Sequence, residues 1–131
     1  FLTEAVMSSE QTTFSAVLGV VLANLRKVKG IEQGEMAKKM GVSQASYSRL
    51  ESGKSSCSVD QLYLAAQALE IDGPELTHRL NNAVQQLNVN GVPVIAPLRA
   101  NATKAGESGV DPGSMLMGAG LAALLIGMLT K

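Results

Sequence analysis

The chain has 131 residues with 11 basic and 11 acidic side chains, so its formal net charge is zero. A neutral chain has no overall attraction to phosphate, and any affinity for nucleic acid must come from a local basic surface. The single cysteine, Cys57, excludes an internal disulfide and favours a reducing, cytoplasmic location. The sequence has no paired carboxylates, metal-spaced ligands or nucleophile–base set, which argues against an enzyme, a metal site and a cofactor.

Composition divides the chain into four parts. Residues 1–13 form an N-terminal extension, in which Met7 resembles a natural start and leaves open whether residues 1–6 are native. Residues 14–87 are helical in pattern, and residues 88–113 are rich in Gly and Pro, which is typical of a linker. Residues 114–131 carry no charge before Lys131 and predict a separate hydrophobic helix.

Five helices are predicted between residues 14 and 87, because apolar residues recur there with a period of about 3.6. The first begins at Phe14 and stops before Gly30, a residue suited to a helix C-terminus. The second covers about 33–40, and the third follows the N-cap Ser43 and continues to about residue 51. The fourth starts at a capping box at Ser58, and the fifth starts near Pro74. The fold class is therefore all-α.

The second and third predicted helices are short and are joined by Gly41-Val42-Ser43. Glycine allows the chain to leave a helix with positive φ, Val42 can plug the corner into the core, and Ser43 can cap the next helix. A short helix, a glycine turn and a second helix with a polar outer face are typical of a helix-turn-helix unit.

The run Leu25–Ile71 resembles the Cro/XRE (phage-repressor-like) helix-turn-helix family. It contains L-R-x-x-x-G-x-x-Q and A-x-x-x-G-V-S-x-x-x-x-S-R-x-E-x-G at the spacing of that family. The resemblance covers Phe14 to about Leu76 and implies a five-helix bacterial or phage regulator. Such a regulator would read double-stranded DNA with its third helix, as a dimer on a two-fold operator.

The resemblance also implies roles for individual residues. Arg26 and Glu51 match a structural ion pair between the first helix and the end of the third. Tyr47 stands where relatives usually carry an aliphatic residue, and we expect a core ring whose hydroxyl reaches the edge of the domain. The positions that match DNA contacts, to base edges or to phosphates, are Gln33, Ser43, Gln44, Ala45, Ser48, Arg49 and Lys54.

The first predicted helix departs from the family because residues 16–23 have no polar side chain. A helix cannot bury every side against one small domain, so Val17, Val20 and Val21 are candidates for a partner surface. The alternative is a more apolar helix that is covered by residues 1–13 or by the fifth helix.

The C-terminal segment has three interpretations. Met115–Leu129 contains 15 residues without a polar side chain, and the 18 residues of the uncharged stretch 113–130 are just above the lower limit of about 17 for a membrane span. It could anchor the protein in the inner membrane, form an assembly helix in an oligomer, or pack back onto the first helix. Small residues at helical spacing would allow close approach of another helix in the first two cases, and they are Gly118, Ala119, Ala122, Ala123 and Gly127.

Two functions follow from these observations. The first is a DNA-binding transcriptional regulator that is tethered or oligomerised through its C-terminal helix. The second is a structural or interaction protein that reuses the helix-turn-helix scaffold for self-assembly or as a membrane-anchored module. The neutral charge and the apolar first helix favour the second function, and the motif around Gly41 favours the first.

Overall fold

The computed structural model describes residues 10–97 and 115–129. The predictions for residues 1–6, for the linker beyond residue 97 and for Lys131 lie outside these residues. Six helices are present in the described chain, together with two short strands, and the first five helices confirm the all-α prediction. The elements are β1 (Thr12–Thr13), α1 (Phe14–Val28), α2 (Gln33–Met40), α3 (Gln44–Glu51), α4 (Val59–Ala68), α5 (Gly73–Val89), β2 (Val94–Ile95) and α6 (Gly118–Leu129).

Side-chain caps define where most of these helices begin. The Oγ1 of Thr13 accepts a hydrogen bond from the Ala16 amide at 3.0 Å, and Ser58 with Gln61 forms the predicted capping box. Asp72 caps α5 through the Glu75 amide at 2.8 Å. Each cap satisfies backbone N–H groups that the first turn of a helix leaves without a partner.

The main core lies among α1 to α5 and is aliphatic and Met-rich. Its largest fully buried side chains come from α1, α2, α3 and α5 and from the residue that caps the C-terminus of α4, and one of them is an aromatic ring on α3. They are Leu22, Met36, Tyr47, Leu69 and Leu76.

A second core lies where α6 covers α1 and α5. Leu121 and Leu125 of α6 are buried against Val17 and Val20 of α1 and against Leu87 of α5. Val21, also predicted to face a partner, is half-buried beside both cores. The apolar excess of the first helix is thus covered within one chain.

The prediction of a separate C-terminal hydrophobic helix is wrong. The segment instead packs onto α1, which was the third of its three interpretations. Among the described residues, no helix is both long and apolar enough to cross a membrane. α6 has 12 residues, whereas a spanning helix needs about 20. Of its small residues, Gly118 begins the helix, Ala122 is half-buried, and Ala119, Ala123 and Gly127 lie on the outer side.

Backbone pairing holds the start of α6 near the start of α1. β1 and β2 run parallel, with Thr12 beside Val94 and Thr13 beside Ile95. On the other side of β1, the Leu116 amide donates to the Gln11 carbonyl at 2.8 Å, and the Thr12 hydroxyl donates to the Leu116 carbonyl at 2.6 Å. Pro93 precedes β2, a position that proline tolerates because its missing N–H removes no hydrogen bond from the strand pair.

Candidate nucleic-acid interface

The turn between α2 and α3 has the geometry that its sequence predicts. Gly41 adopts φ +76°, and the Val42 amide donates to the Ala37 carbonyl at 3.0 Å. Val42 packs against the main core, and the Oγ of Ser43 accepts from the Ser46 amide at 3.1 Å. The turn therefore sets the direction of α3 relative to α2.

Close contact with α1 positions the other end of α3. A Cβ atom at Gly19 would lie 2.3 Å from the Glu51 carbonyl oxygen and 2.6 Å from that of Leu50. Glycine is therefore required at residue 19 for α1 to lie directly on the last turn of α3. The inner face of α3 is fixed as well, because Tyr47 and Leu50 are buried.

The predicted DNA-contacting residues occupy the outer side of this unit. Ser48 is half-buried, and the exposed ones are Ser43, Gln44, Ala45, Arg49 and Lys54. The Gln44 side chain lies over the first turn of α2, where its Oε1 is 3.3 Å from the position of a Cβ on Gly34. The structure thus brings the outer residues of α3 beside the start of α2.

Gln33 is a predicted contact residue whose side chain already makes a hydrogen bond within the protein. Its Nε2 donates to Oε1 of Glu51 at 2.9 Å, and the residue is half-buried. Gln33 therefore belongs to the network around Glu51, and only its remaining hydrogen-bonding capacity is available to an outside group.

Arg26 and Glu51 form an almost fully buried ion pair that joins α1 to α3. The Nε of Arg26 donates to Oε2 of Glu51 at 2.5 Å, and Nη2 donates to Oε1 at 3.2 Å. The Nη1 of Arg26 donates to the Ile31 carbonyl at 2.9 Å, which ties in the turn before α2. The pair thus connects the three helices that present the outer surface.

Hydrogen bonds decide the ionisation of this pair. Burial raises the pKa of the Glu51 carboxyl, but hydrogen bonding, first of all from Arg26, outweighs burial and holds that pKa below its usual value. The hydrogen bond with Glu51 likewise raises the pKa of Arg26. Both groups are charged at neutral pH.

The Glu51 interaction predicts loss of stability in acid. Because the folded-state pKa of Glu51 is lowered, its contribution is complete above the unfolded pKa of about 4.3 and is lost as pH falls through the folded value. We expect the free energy of unfolding of the wild type to fall more steeply below about pH 5 than that of Glu51→Gln. Urea unfolding at a series of pH values measures both slopes, and equal slopes would contradict the lowered pKa.

Tyr47 corrects the expectation that its hydroxyl reaches the edge of the domain. The residue is fully buried, and its hydroxyl oxygen has no hydrogen-bond partner among the residues that the structure describes. Burial, together with the nearby Glu51 carboxylate, raises the pKa of Tyr47 well above its usual value. The hydroxyl stays protonated and loses its hydration on folding.

Tyr47→Phe is therefore expected to keep or raise the free energy of unfolding, by up to about 1 kcal/mol, because a buried unpaired hydroxyl is costly. Chemical denaturation followed by circular dichroism measures the change. Tyr63→Phe, at a half-exposed ring on α4, is the control. A loss of more than about 1 kcal/mol in Tyr47→Phe would show that the hydroxyl donates a stabilising hydrogen bond to Glu51.

Charge is divided between the two halves of the helical domain although the chain is neutral. Residues 33–56 carry four basic and two acidic side chains, and one of the two acids is the paired Glu51. Residues 57–97 carry one basic and four acidic side chains. The surface around α2 and α3 is thus the more positive one, even with Glu35 near Lys39 at 3.8 Å.

Sequence reasoning missed two parts of this arrangement. It did not connect Gln33 to Glu51, although both residues are in the matched motifs, because side-chain direction at the start of α2 is not visible in a residue pattern. It also missed that the Ile31 carbonyl accepts from Arg26. A buried Arg with five donors that must be satisfied was the available signal for the second contact.

The comparisons with known proteins agree with this geometry. The helix-turn-helix family matches residues 22–76. No curated protein matches the chain. Among solved structures, the clp gene regulator ClgR from C. glutamicum is similar at 26% sequence identity with a TM-score of 0.51, over 53% of this chain and 91% of that one.

Proposed function

Because residues 22–76 form a helix-turn-helix domain of the Cro/XRE kind, we propose that the protein is a non-catalytic, DNA-binding transcriptional regulator. Its α3 would enter the major groove of an operator and read base edges there. The observation that carries the proposal is the outer surface of α3, where polar side chains are exposed on a helix held rigidly by α1 and α2. The similarity to a gene regulator supports the same function.

Each outer residue has a contact suited to its chemistry. The Gln44 amide can donate to and accept from one adenine, and the Ala45 methyl can meet a thymine methyl. Ser48 and Arg49 are placed for a base or a phosphate, and Lys54 for a phosphate. Gln33 would act mainly by holding Glu51, and the Ser43 hydroxyl by capping α3.

The charge distribution supports DNA binding through the surface around α2 and α3 alone. Four exposed basic side chains lie in or next to α2 and α3, and they are Lys38, Lys39, Arg49 and Lys54. Phosphate contacts by such side chains release counterions, so affinity falls with salt. A chain of zero net charge should therefore bind DNA in one orientation and with a modest salt slope.

We expect Gln44→Ala to weaken operator binding about 10- to 100-fold and to relax the preference for one base pair, because a bidentate amide–adenine contact is lost. Lys54→Gln should lower affinity for all duplexes and reduce the log–log salt slope by about 1. Selection from random duplexes, followed by fluorescence anisotropy at several salt concentrations, measures both effects.

Gln67→Ala is the matched control, since Gln67 is exposed on α4 outside the helix-turn-helix unit. It should leave affinity, base preference and salt slope unchanged. If the wild type binds no duplex at low salt, or if Gln67→Ala weakens binding as much as Gln44→Ala, the operator-reading role of α3 is wrong.

The regulator would act as a dimer on two half-sites, about 34 Å apart, as the geometry of helix-turn-helix dimers requires. The footprint on a selected operator and the mass of the complex in solution test this. A single half-site occupied by one copy would contradict it. The assembly alternative has less support, because α6 covers the α1 surface on which it rested.

A further inference from the structure

A pocket of about 190 Å³ opens between α1, α5 and α6, away from the outer surface of α3. An engineered apolar cavity of about 150 Å³ binds benzene, so this pocket has room for about eight carbon atoms. Most of its wall is aliphatic and comes from all three helices, and the lining side chains include Val20, Val21, Leu25, Ala83, Leu125 and Ile126.

The polar residues that line the pocket are two cations and two carboxamides. Lys27 and Asn24 belong to α1, and Arg79 and Asn82 belong to α5, whereas no acidic residue lines the pocket. All four are exposed, which places them at the mouth, above the aliphatic wall. The site therefore combines an apolar interior with a positive opening.

Both cations have donors available for a ligand. Lys27 makes no ion pair within residues 10–97 and 115–129. Arg79 donates through Nε and Nη2 to Glu75 in an exposed pair, and its Nη1 has no protein acceptor in the same part of the chain. An exposed pair of this kind is weak, so Arg79 can also serve an anion at the mouth.

We infer that this pocket binds a linear aliphatic carboxylate of about eight carbons. The alkyl chain of the ligand would fill the space among the valine and leucine side chains, and this removes its apolar surface from water. The carboxylate would stay at the mouth of the pocket with Lys27 and Arg79. Charge complementarity selects an acid over a neutral chain of the same length, because every charged group on the pocket lining is positive. The volume selects a medium chain over a long one.

The pocket gives α6 a role within the folded chain. Ala122, Leu125 and Ile126 of α6 line the site, so it exists only while α6 is docked on α1 and α5. A ligand that binds only the docked form stabilises that form by mass action. The site shares no residue with the proposed DNA contacts, so failure of ligand binding and failure of operator binding are separate outcomes.

Octanoate is the probe, titrated into the 131-residue chain by calorimetry and by NMR below its micelle concentration. We expect saturable 1:1 binding, amide shifts centred on the facing parts of α1, α5 and α6, and slower hydrogen exchange of α6. Octanol, the neutral analogue, should bind about tenfold more weakly. Lys27→Gln should weaken octanoate about tenfold and leave octanol unchanged.

Lys29→Gln is the matched control, because Lys29 is an exposed cation two residues further along that does not line the pocket. It should bind octanoate as the wild type does. Ala122→Met, which fills the pocket from α6, should abolish binding of both probes. The inference is overturned if octanoate shows no saturable binding, if Lys27→Gln and Lys29→Gln behave alike, or if a correctly folded Ala122→Met still binds.

Discussion

Arg26→Met is expected to lower the free energy of unfolding by about 3 kcal/mol or more, because it leaves the Glu51 carboxylate buried without its cation. The two side chains are only 10% and 9% exposed, so solvent cannot replace the lost partner. The Ile31 carbonyl loses its donor in the same variant. Urea denaturation followed by circular dichroism measures the loss.

Arg79→Met is the matched control on the surface. Its pair with Glu75 is about half-exposed, and such pairs contribute at most about 1 kcal/mol. The double variant Arg26→Met with Glu51→Leu should recover much of the lost stability, since an apolar pair can replace a buried ion pair. A loss in Arg26→Met no larger than that in Arg79→Met would mean that the pair is not buried in solution.

Leu121→Ala is expected to lower the free energy of unfolding by about 3 kcal/mol, because it removes a fully buried side chain from the second core. The cavity would open between α6 and the valines of α1. We expect α6 amides to lose hydrogen-exchange protection before the main core does, since α6 is held by one face only. Denaturation and exchange measured on the same variant give both results.

Ala119→Ser provides the control on α6 itself, because Ala119 lies on the exposed side. A surface substitution of this kind should change stability by no more than about 0.5 kcal/mol. If Leu121→Ala is equally silent, α6 is not docked on α1 and α5 in solution.

The five-helix domain could be predicted from the sequence because its signals are local. The 3.6-residue period from Phe14 onward, the glycine at residue 41 and the caps at Ser43 and Ser58 each act within a few residues. The contact positions on α3 followed from the same local pattern and a family resemblance. They remain predictions until DNA binding is measured.

The docking of α6 could not be predicted in the same way. An uncharged run of Leu, Ala, Gly and Met is equally suited to lipid, to another subunit and to the chain's own core. The choice depends on Val17 and Val20, which are about 100 residues away, and on the pairing of β1 with β2 and with Leu116. Contacts between such distant residues leave no periodic pattern.

The parallel pairing beside Thr12 also determines the order in which the chain can fold on the ribosome. The Thr12 hydroxyl donates a hydrogen bond to the Leu116 carbonyl, 104 residues further along the sequence. This contact cannot form until the C-terminal segment has been synthesised. At roughly 5–20 residues per second, α6 is completed about 2–8 seconds after α5. During that interval Val17 and Val20 lack their contacts with α6, and we expect the nascent domain to be a transient substrate for chaperones that bind exposed aliphatic surface.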